Sequence, residues 1–312
     1  MKLFSATLII ALAAIATFGQ TPTLRIVTED PNLPSELFYG NIKVKPLRLR
    51  PGTNTVITIQ DPDFYVNTQY VDFLSRFPDQ SGFTFWQNEI TSCGTDTNCI
   101  DVKRINVSAA FFLSIEFQST GYLVYKMYKA GFGNLPNKPV PVRRESFMPD
   151  TRSIANGVVV GQQGWEQVLE NNKNSFALAF VSRPEFQAAF PNTLTADQFV
   201  TQLDNNAGQV LSSTEKADLV AVLGATPTDL TKRASVLRSV AENANLNQRE
   251  FNKAFVLMQY FGYLRRNPDD APDADFGGYN FWLNKLNQFN GNFVQAEMVK
   301  AFIVSGEYLA RF

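Results

Sequence analysis

Residues 69–90 read QYVDFLSRFPDQSGFTFWQNEI, and residues 259–286 read QYFGYLRRNPDDAPDADFGGYNFWLNKL. Both stretches carry Gln-Tyr, then Leu-x-Arg-x-Pro-Asp, a glycine, and an aromatic-Trp pair, Phe85-Trp86 in the first and Phe281-Trp282 in the second. A unit that returns within one chain is a supersecondary element that cannot bury its apolar face alone and must stack on a neighbour. The duplication therefore predicts a mainly α body of stacked helical repeats.

Around the first copy the periodicity is helical. Asp61-Pro62 suits a helix start, and Val66, Tyr70, Phe73 and Phe77 fall at i, i+4, i+7 and i+11, which predicts one buried face. Pro78 stops that helix, Asp79 is placed to cap the next, and Gly82 sits where a tight turn or a close backbone approach tolerates no side chain. Phe85, Trp86 and Ile90 then form the apolar stripe of the second helix, with Trp86 as a core anchor. In the other copy Asp269, Gly278 and Trp282 take the same predicted roles. A third helix after Asp101 ends in AFFLSIEF, and the chain closes on AFIVSGEY, aligning Phe111 with Phe302, Ser114 with Ser305 and Glu116 with Glu307. The unit is thus three helices long. SFALAFVSRPEF at residues 175–186 is a fainter middle echo, following the Trp165 helix. Further helices are predicted to begin at Thr195, Ser212, Asp229 and Asn247; Ser212 with Glu215 and Asn247 with Glu250 have capping-box spacing.

The amino-terminal end differs. Lys2, the apolar run from Leu3 to Phe18 and the small-residue stretch up to Gln20 predict a signal peptide over residues 1–20, too short for a stable membrane span. No later segment approaches the ~18 uninterrupted apolar residues that a span needs. LRIV, IKVKPLRLR and NTVITIQ alternate with period two, predicting a small antiparallel β unit over residues 21–60. Lys43, Lys45, Arg48 and Arg50 line one strand face there, either as a solvated face or as a weak contact to an anionic envelope surface. The organisation expected is then a first helical module over 61–133, a Pro/Gly-rich connection over 134–164 that is a boundary or a functional loop, and a second helical module over 165–312.

The pattern Y-x-x-F/Y-L-x-R-x-P-D, Gly, aromatic-Trp, then a helix ending S-x-E-F/Y resembles the bacterial family called domain of unknown function 4214, whose repeats are similar to the helical repeats of phycobilisome linker polypeptides. The residues that carry the resemblance are Tyr70, Leu74, Arg76, Pro78, Asp79, Gly82 and Trp86, then Tyr260, Leu264, Arg266, Pro268, Asp269, Gly278 and Trp282. It implies an all-helical module of an exported or surface protein, without an assigned activity. The middle echo departs from the pattern, since no RxPD precedes Trp165.

Composition narrows the chemistry. The net charge of −1 removes a global attraction to polyanions, so nucleic acid is not an expected partner. The chain holds no histidine, which removes Ser-His-Asp and Cys-His mechanisms and most zinc, haem and facial-triad iron sites. No phosphate-binding loop or dinucleotide fingerprint occurs. Cys93 and Cys99 in SCGTDTNC are expected to form a local disulfide in an exported protein. No cofactor and no metal site is predicted.

The expectation is a non-enzymatic, secreted helical-repeat module for binding or assembly at the cell envelope. It would reside outside the cytoplasm, as a secreted, periplasmic or surface protein, with a protein or an envelope glycan as partner. The residues marked for interaction are Arg76, Asp79, Gly82, Trp86, Arg266, Asp269, Gly278 and Trp282. The two Arg/Asp pairs, Arg76–Asp79 and Arg266–Asp269, read as turn locks, or as a polar rim around a Trp-lined groove. One alternative is a carboxylate-dependent glycan hydrolase drawing two acids from Glu89, Glu116, Glu297 and Glu307. Another is a calcium-stabilised surface protein using Asp269, Asp270, Asp273 and Asp275 in the loop over 267–278, which lacks EF-hand spacing.

Overall fold

The computed structural model describes Arg50, residues 53–312 and, ahead of them, the backbone of three short strands. β1 (Leu24–Val27), β2 (Glu36–Tyr39) and β3 (Ile42–Val44) pair antiparallel in that order, with Leu24 opposite Tyr39 and Leu37 opposite Val44. The expected leader over 1–20 lies outside the described residues, as does most of the β unit expected over 21–60, including the side chains of Lys43, Lys45 and Arg48. Within residues 54–60, read as a strand, Val56 forms a single β-bridge and the chain turns at Ile59 and Gln60. The Asp61 carboxylate accepts from the Thr58 backbone N–H at 2.7 Å, and the Asp61 N–H reaches the Thr58 carbonyl at 3.0 Å. Arg50 clasps Asp61 and Asp63, fixing this turn to the start of the helical body.

From there the chain is helical. α1 (Pro62–Gln69) has proline at its first turn, where the missing N–H costs nothing, and runs directly into a π-helical segment, Tyr70–Leu74. Val66, Tyr70 and Phe73 are buried as predicted, but Phe77 is 62 % exposed. The reason is Ser75, whose left-handed backbone (φ 55°) takes the chain off the helix axis before Phe77 is reached. α2 (Gln80–Thr91) starts on Asp79, whose carboxylate accepts the Gly82 N–H at 2.8 Å. α3 (Thr97–Leu113) starts earlier than its predicted Asp101 because Asp96 accepts from the Asn98 and Cys99 N–H groups. The sulfurs of Cys93 and Cys99 stand at disulfide distance across the α2–α3 turn. Ser114 then breaks the helix, and its hydroxyl caps α4 (Ile115–Ser119).

α5 (Gly121–Phe132) forms the centre of the body. Its residues from Gly121 to Met127 are all buried, as in a helix enclosed on every side, and Lys126 is the one charged side chain among them. It packs against α6 (Arg144–Ala155), α9 (Ala196–Ala207), α11 (Leu230–Ala241) and α12 (Ala244–Met258). α7 (Trp165–Val181) lies on α6 and α11, α8 (Pro184–Ala189) on α5 and α7, and α10 (Ser213–Leu223) on α9 and α11. α6 lies inside the stretch expected as a Pro/Gly-rich connection. It buries Phe147, Met148 and Ile154, and it tolerates Pro149 one turn in.

Thr195, Ser212 and Asp229 cap their helices as predicted, the first two in full capping boxes. Asn247 does not. α12 begins at Ala244 because Asn243 accepts from Asn245 and Leu246, which leaves Asn247 inside the helix. α12 passes into a second π-helical segment, Gln259–Leu264, followed by α13 (Gly277–Gln288), α14 (Met298–Ile303) and α15 (Gly306–Leu309), which repeat the order of α1 to α4.

Lys126, on α5, is a buried cation with no carboxylate in salt-bridge range among the described residues. Its ammonium lies over the Tyr122 ring and donates to the Asn247 side-chain oxygen at 3.1 Å. Burial lowers its pKa from the ordinary 10.5 to about 8, and burial lowers that of Lys129 as well. Between those two values the unfolded chain holds a proton that the folded chain has released, so folding gains stability as pH rises from about 8 towards 10. Above pH 10 the sign reverses, because burial pushes Tyr65, Tyr70 and Tyr260 up to about 12 and the folded state keeps protons that the unfolded state loses. Thermal melts across this range are expected to show a maximum near pH 10. Lys126→Met is expected to raise stability at pH 7 and to remove most of the rise above pH 8, leaving the alkaline collapse in place.

Candidate functional site

Seven of the eight repeat residues marked in the sequence, all but Asp269, come together as two local constellations of one design. In the first, the Arg76 guanidinium reaches across 40 residues to Glu116, with Nε at 2.6 Å from one carboxylate oxygen and Nη2 at 2.7 Å from the other. In the second, Arg266 reaches across 41 residues to Glu307 at 2.6 Å and 3.0 Å. Each is a bidentate fork, the strongest ion-pair geometry available to side chains. Each guanidinium also lies over a tyrosine ring, Arg76 at 4.9 Å from the Tyr70 centroid and Arg266 at 5.4 Å from that of Tyr260. Burial works against the charge on Arg76 and on Arg266, and the carboxylates outweigh it, holding both above the ordinary guanidinium range.

The tyrosines explain the glycines. Neither Gly82 nor Gly278 needs a positive φ; a Cβ on Gly82 would lie 2.2 Å from the Tyr70 hydroxyl oxygen, and one on Gly278 would lie 2.6 Å from that of Tyr260. What comes close to these glycines is a tyrosine side chain, in place of the tight turn or close backbone approach expected from the sequence. Tyr70 meets the Phe111 ring edge-on at 4.8 Å and Tyr260 meets Phe302 at 5.2 Å, while Trp86 and Trp282 each lie 5.7 Å from the same phenylalanines. The tryptophans are half-buried lids on this stack rather than deep anchors. Phe85, read as part of the buried stripe, is 56 % exposed, and Phe281 at the same repeat position is 57 % exposed, each ring set edge-to-face with the neighbouring tryptophan.

Asp269 departs from its predicted role. It neither caps a helix nor pairs with Arg266; it receives Lys138 and Arg143 from the stretch before α6. The residues inserted in this copy shift the equivalence by one Pro-Asp step, so Asp273 takes the place of Asp79. Arg266 bonds Asp273 at 2.8 Å, as Arg76 meets Asp79 at 3.5 Å. α13 starts at Gly277 without a side-chain cap. The other acids of that loop are engaged too, Asp270 by Arg143 and Asn267, and Asp275 by the Gly277 N–H. Arg143 bridges Asp269 and Asp270, Arg266 holds Asp273 and the Gly277 N–H holds Asp275, so all four carboxylates are engaged by groups of this chain. The acids weighed for hydrolysis each have a cation beside them: Glu116 and Glu307 hold the arginines, Glu89 pairs with Lys103 at 2.6 Å, and Glu297 lies 3.9 Å from Lys300.

The two copies meet at their π-helical segments, a pairing that sequence reasoning passes over. Phe73 and Tyr263, at the same repeat position, meet edge-on at 5.1 Å, and Phe73 fills the space beside Gly262, where a Cβ would lie 2.9 Å from the ring. Asp72, nearly inaccessible, accepts from Arg265 at 3.0 Å and from Arg311 at 2.8 Å. The sequence signal for this pairing is a mismatch between copies, Asp72 and Ser75 in one against Gly262 and Arg265 in the other. Comparison of the chain with protein-family models, with curated proteins and with solved structures yields no match.

Gly82→Ala is expected to cost about 1–3 kcal/mol, the range for overfilling a packed site, and Tyr70→Phe in the same chain is expected to recover much of it by removing the oxygen the new methyl meets. A double-mutant cycle by urea unfolding checks the coupling. Arg76→Met strands a nearly buried Glu116 and is expected to cost about 3–5 kcal/mol. Arg266→Met is expected to cost less, because the Glu307 side chain is 34 % exposed and finds water.

Proposed function

We propose that this chain is a non-enzymatic helical-repeat module that binds or assembles at the cell envelope. The observation that carries the reading is the duplicated Arg–Glu fork: the same acid stands at the same place twice, each time bound by an arginine of its own copy. Catalysis by paired carboxylates needs two acids with different environments across one cleft, one protonated and one ionised. Acids clasped by guanidinium groups in two separate constellations serve geometry instead, and a rigid frame is what a recognition module requires. The resemblance to the family called domain of unknown function 4214 fits such a module. The apolar stretch read as a leader over residues 1–20 and the cysteine pair that stands at disulfide distance in the α2–α3 turn support an envelope address.

Envelope material incubated with the full chain tests the reading. Saturable retention of the protein, with no soluble fragments released, is expected. Release of sugar or peptide products that Glu116→Gln abolishes would replace the module by a hydrolase.

A further inference from the structure

Away from the repeat constellations, a cleft of about 540 Å³ opens between α12 and the end of α13, within the ~300–1,000 Å³ range of small-ligand sites. Its walls are Asn247, Gln248, Phe251 and Asn252 from one face of α12, with Asn287 and Asn290 opposite. Every polar lining side chain is an amide, and none carries a charge. Asparagine is a poorer helix former than the lysine or glutamate usual on a solvated face, so Asn247 and Asn252 inside α12 are costly as mere surface.

The amides are also oriented. Asn247 accepts from the buried Lys126 through its side-chain oxygen, which turns its Nδ2 away from that contact as a donor. Its backbone carbonyl accepts from the Tyr122 hydroxyl at 2.5 Å, fixing the turn that carries it. Asn252 donates through Nδ2 to the Asn287 oxygen at 2.9 Å, which leaves Asn252 an oxygen and Asn287 an NH₂ group for a further partner. Gly291, at φ +82°, passes so close that a Cβ there would lie 3.1 Å from the Asn252 oxygen, so the loop after α13 has no side chain to press on that amide. Phe251 is held from behind by ring contacts to Phe112 at 5.4 Å and Tyr122 at 5.9 Å, and it supplies one apolar wall.

We propose that this cleft is a binding site for a neutral oligosaccharide. Alternating amide donors and acceptors match neighbouring hydroxyl groups, each of which both donates and accepts. The half-buried phenyl ring suits the C–H face of a pyranose. An anion would require lining cations, and a metal ion would require carboxylates; the lining has neither. The site deepens the binding-module reading and rests on it.

Isothermal titration of the full chain with cellohexaose, maltohexaose and chitohexaose, and with an oligogalacturonate as the charged control, tests the assignment. Saturable binding of a neutral sugar is expected, with shifts confined to the side-chain amide resonances of the cleft asparagines. In Asn252→Ala/Asn287→Ala, whose sites are surface-accessible and whose melting temperature is expected to be unchanged, affinity should fall by roughly tenfold or more. No saturation by any neutral sugar at millimolar concentration, preference for the oligogalacturonate, or equal affinity in the double variant would each overturn the site. Should that variant fail to fold, amide resonances of the unaltered chain that do not move with sugar overturn it equally. Retention on envelope material that survives the double substitution would remove the site and leave the module reading intact. Shortening of the titrated sugars, abolished by Glu116→Gln, would remove both.

Discussion

Each repeat is closed by one ion pair, an arginine just after the π-helical segment bound through two hydrogen bonds to a glutamate about 40 residues later. The fork joins the beginning of the unit to its end, so the helix between them is confined by its two neighbours. Everything else in the repeat is arranged on that strut. The tyrosine lies under the guanidinium, the glycine makes room for the tyrosine hydroxyl, and the serine at 114 or 305 bends the chain so that the glutamate faces inward. That serine bonds in the same way in both copies, donating to the carbonyl three residues before it and accepting from the N–H three residues after it. Closing a loop of this length by a buried pair has a desolvation cost, and the aromatic stack around it supplies the apolar burial that offsets that cost.

Two closed units still have to be joined, and a self-matching surface would place like residues opposite one another. The π-helical segments meet with Phe73 against Tyr263, while the charges are divided between the copies, Asp72 from one and Arg265 from the other, with Arg311 completing the pair. This asymmetry fixes which copy lies on which side. A nearly inaccessible aspartate without those arginines would be an unpaired buried charge, so alternative registers between the copies are disfavoured strongly.

The helical class and most helix starts are legible because they depend on local chemistry. Thr195, Ser212 and Asp229 cap as their spacing indicates, and Ser114 and Ser305 share a position that the alignment of AFFLSIEF with AFIVSGEY exposes. The misses have a common cause, namely partners distant in sequence. Arg76 is adjacent to Asp79 in the chain, and adjacency points to that pair, yet the shorter bonds go to Glu116. Asp269 fills the motif position but is drawn to Lys138 and Arg143, because the inserted residues carry Asp273 to the arginine instead. Phe77 and Phe85 follow helical spacing on paper; the left-handed residue Ser75 and the outward turn of α2 put both at the surface. The amide cleft escapes for a related reason. Asn247 has the spacing of a cap, but α12 starts at Ala244, which leaves it inside the helix among the residues that line the cleft.

The placement of charge bears on what the surface recognises. The arginines of the motif face the carboxylates of their own copies, and the acidic insertion is held by Arg143, Lys138 and Arg266, so the charged groups that define the repeats are already paired within the chain. Long-range steering of a charged ligand depends on unpaired charge of one sign, and with a net charge of −1 the chain has little of it to offer. Selectivity must then come from short-range matching of shape and hydrogen bonds, in which a mismatched polar group is left unpaired and is costly. Amides serve that purpose better than ions, since each offers a donor and an acceptor at a fixed separation without a large desolvation cost. A frame held by ion pairs and the proposed recognition surface made of amides are, on this view, two sides of one allocation of polar groups.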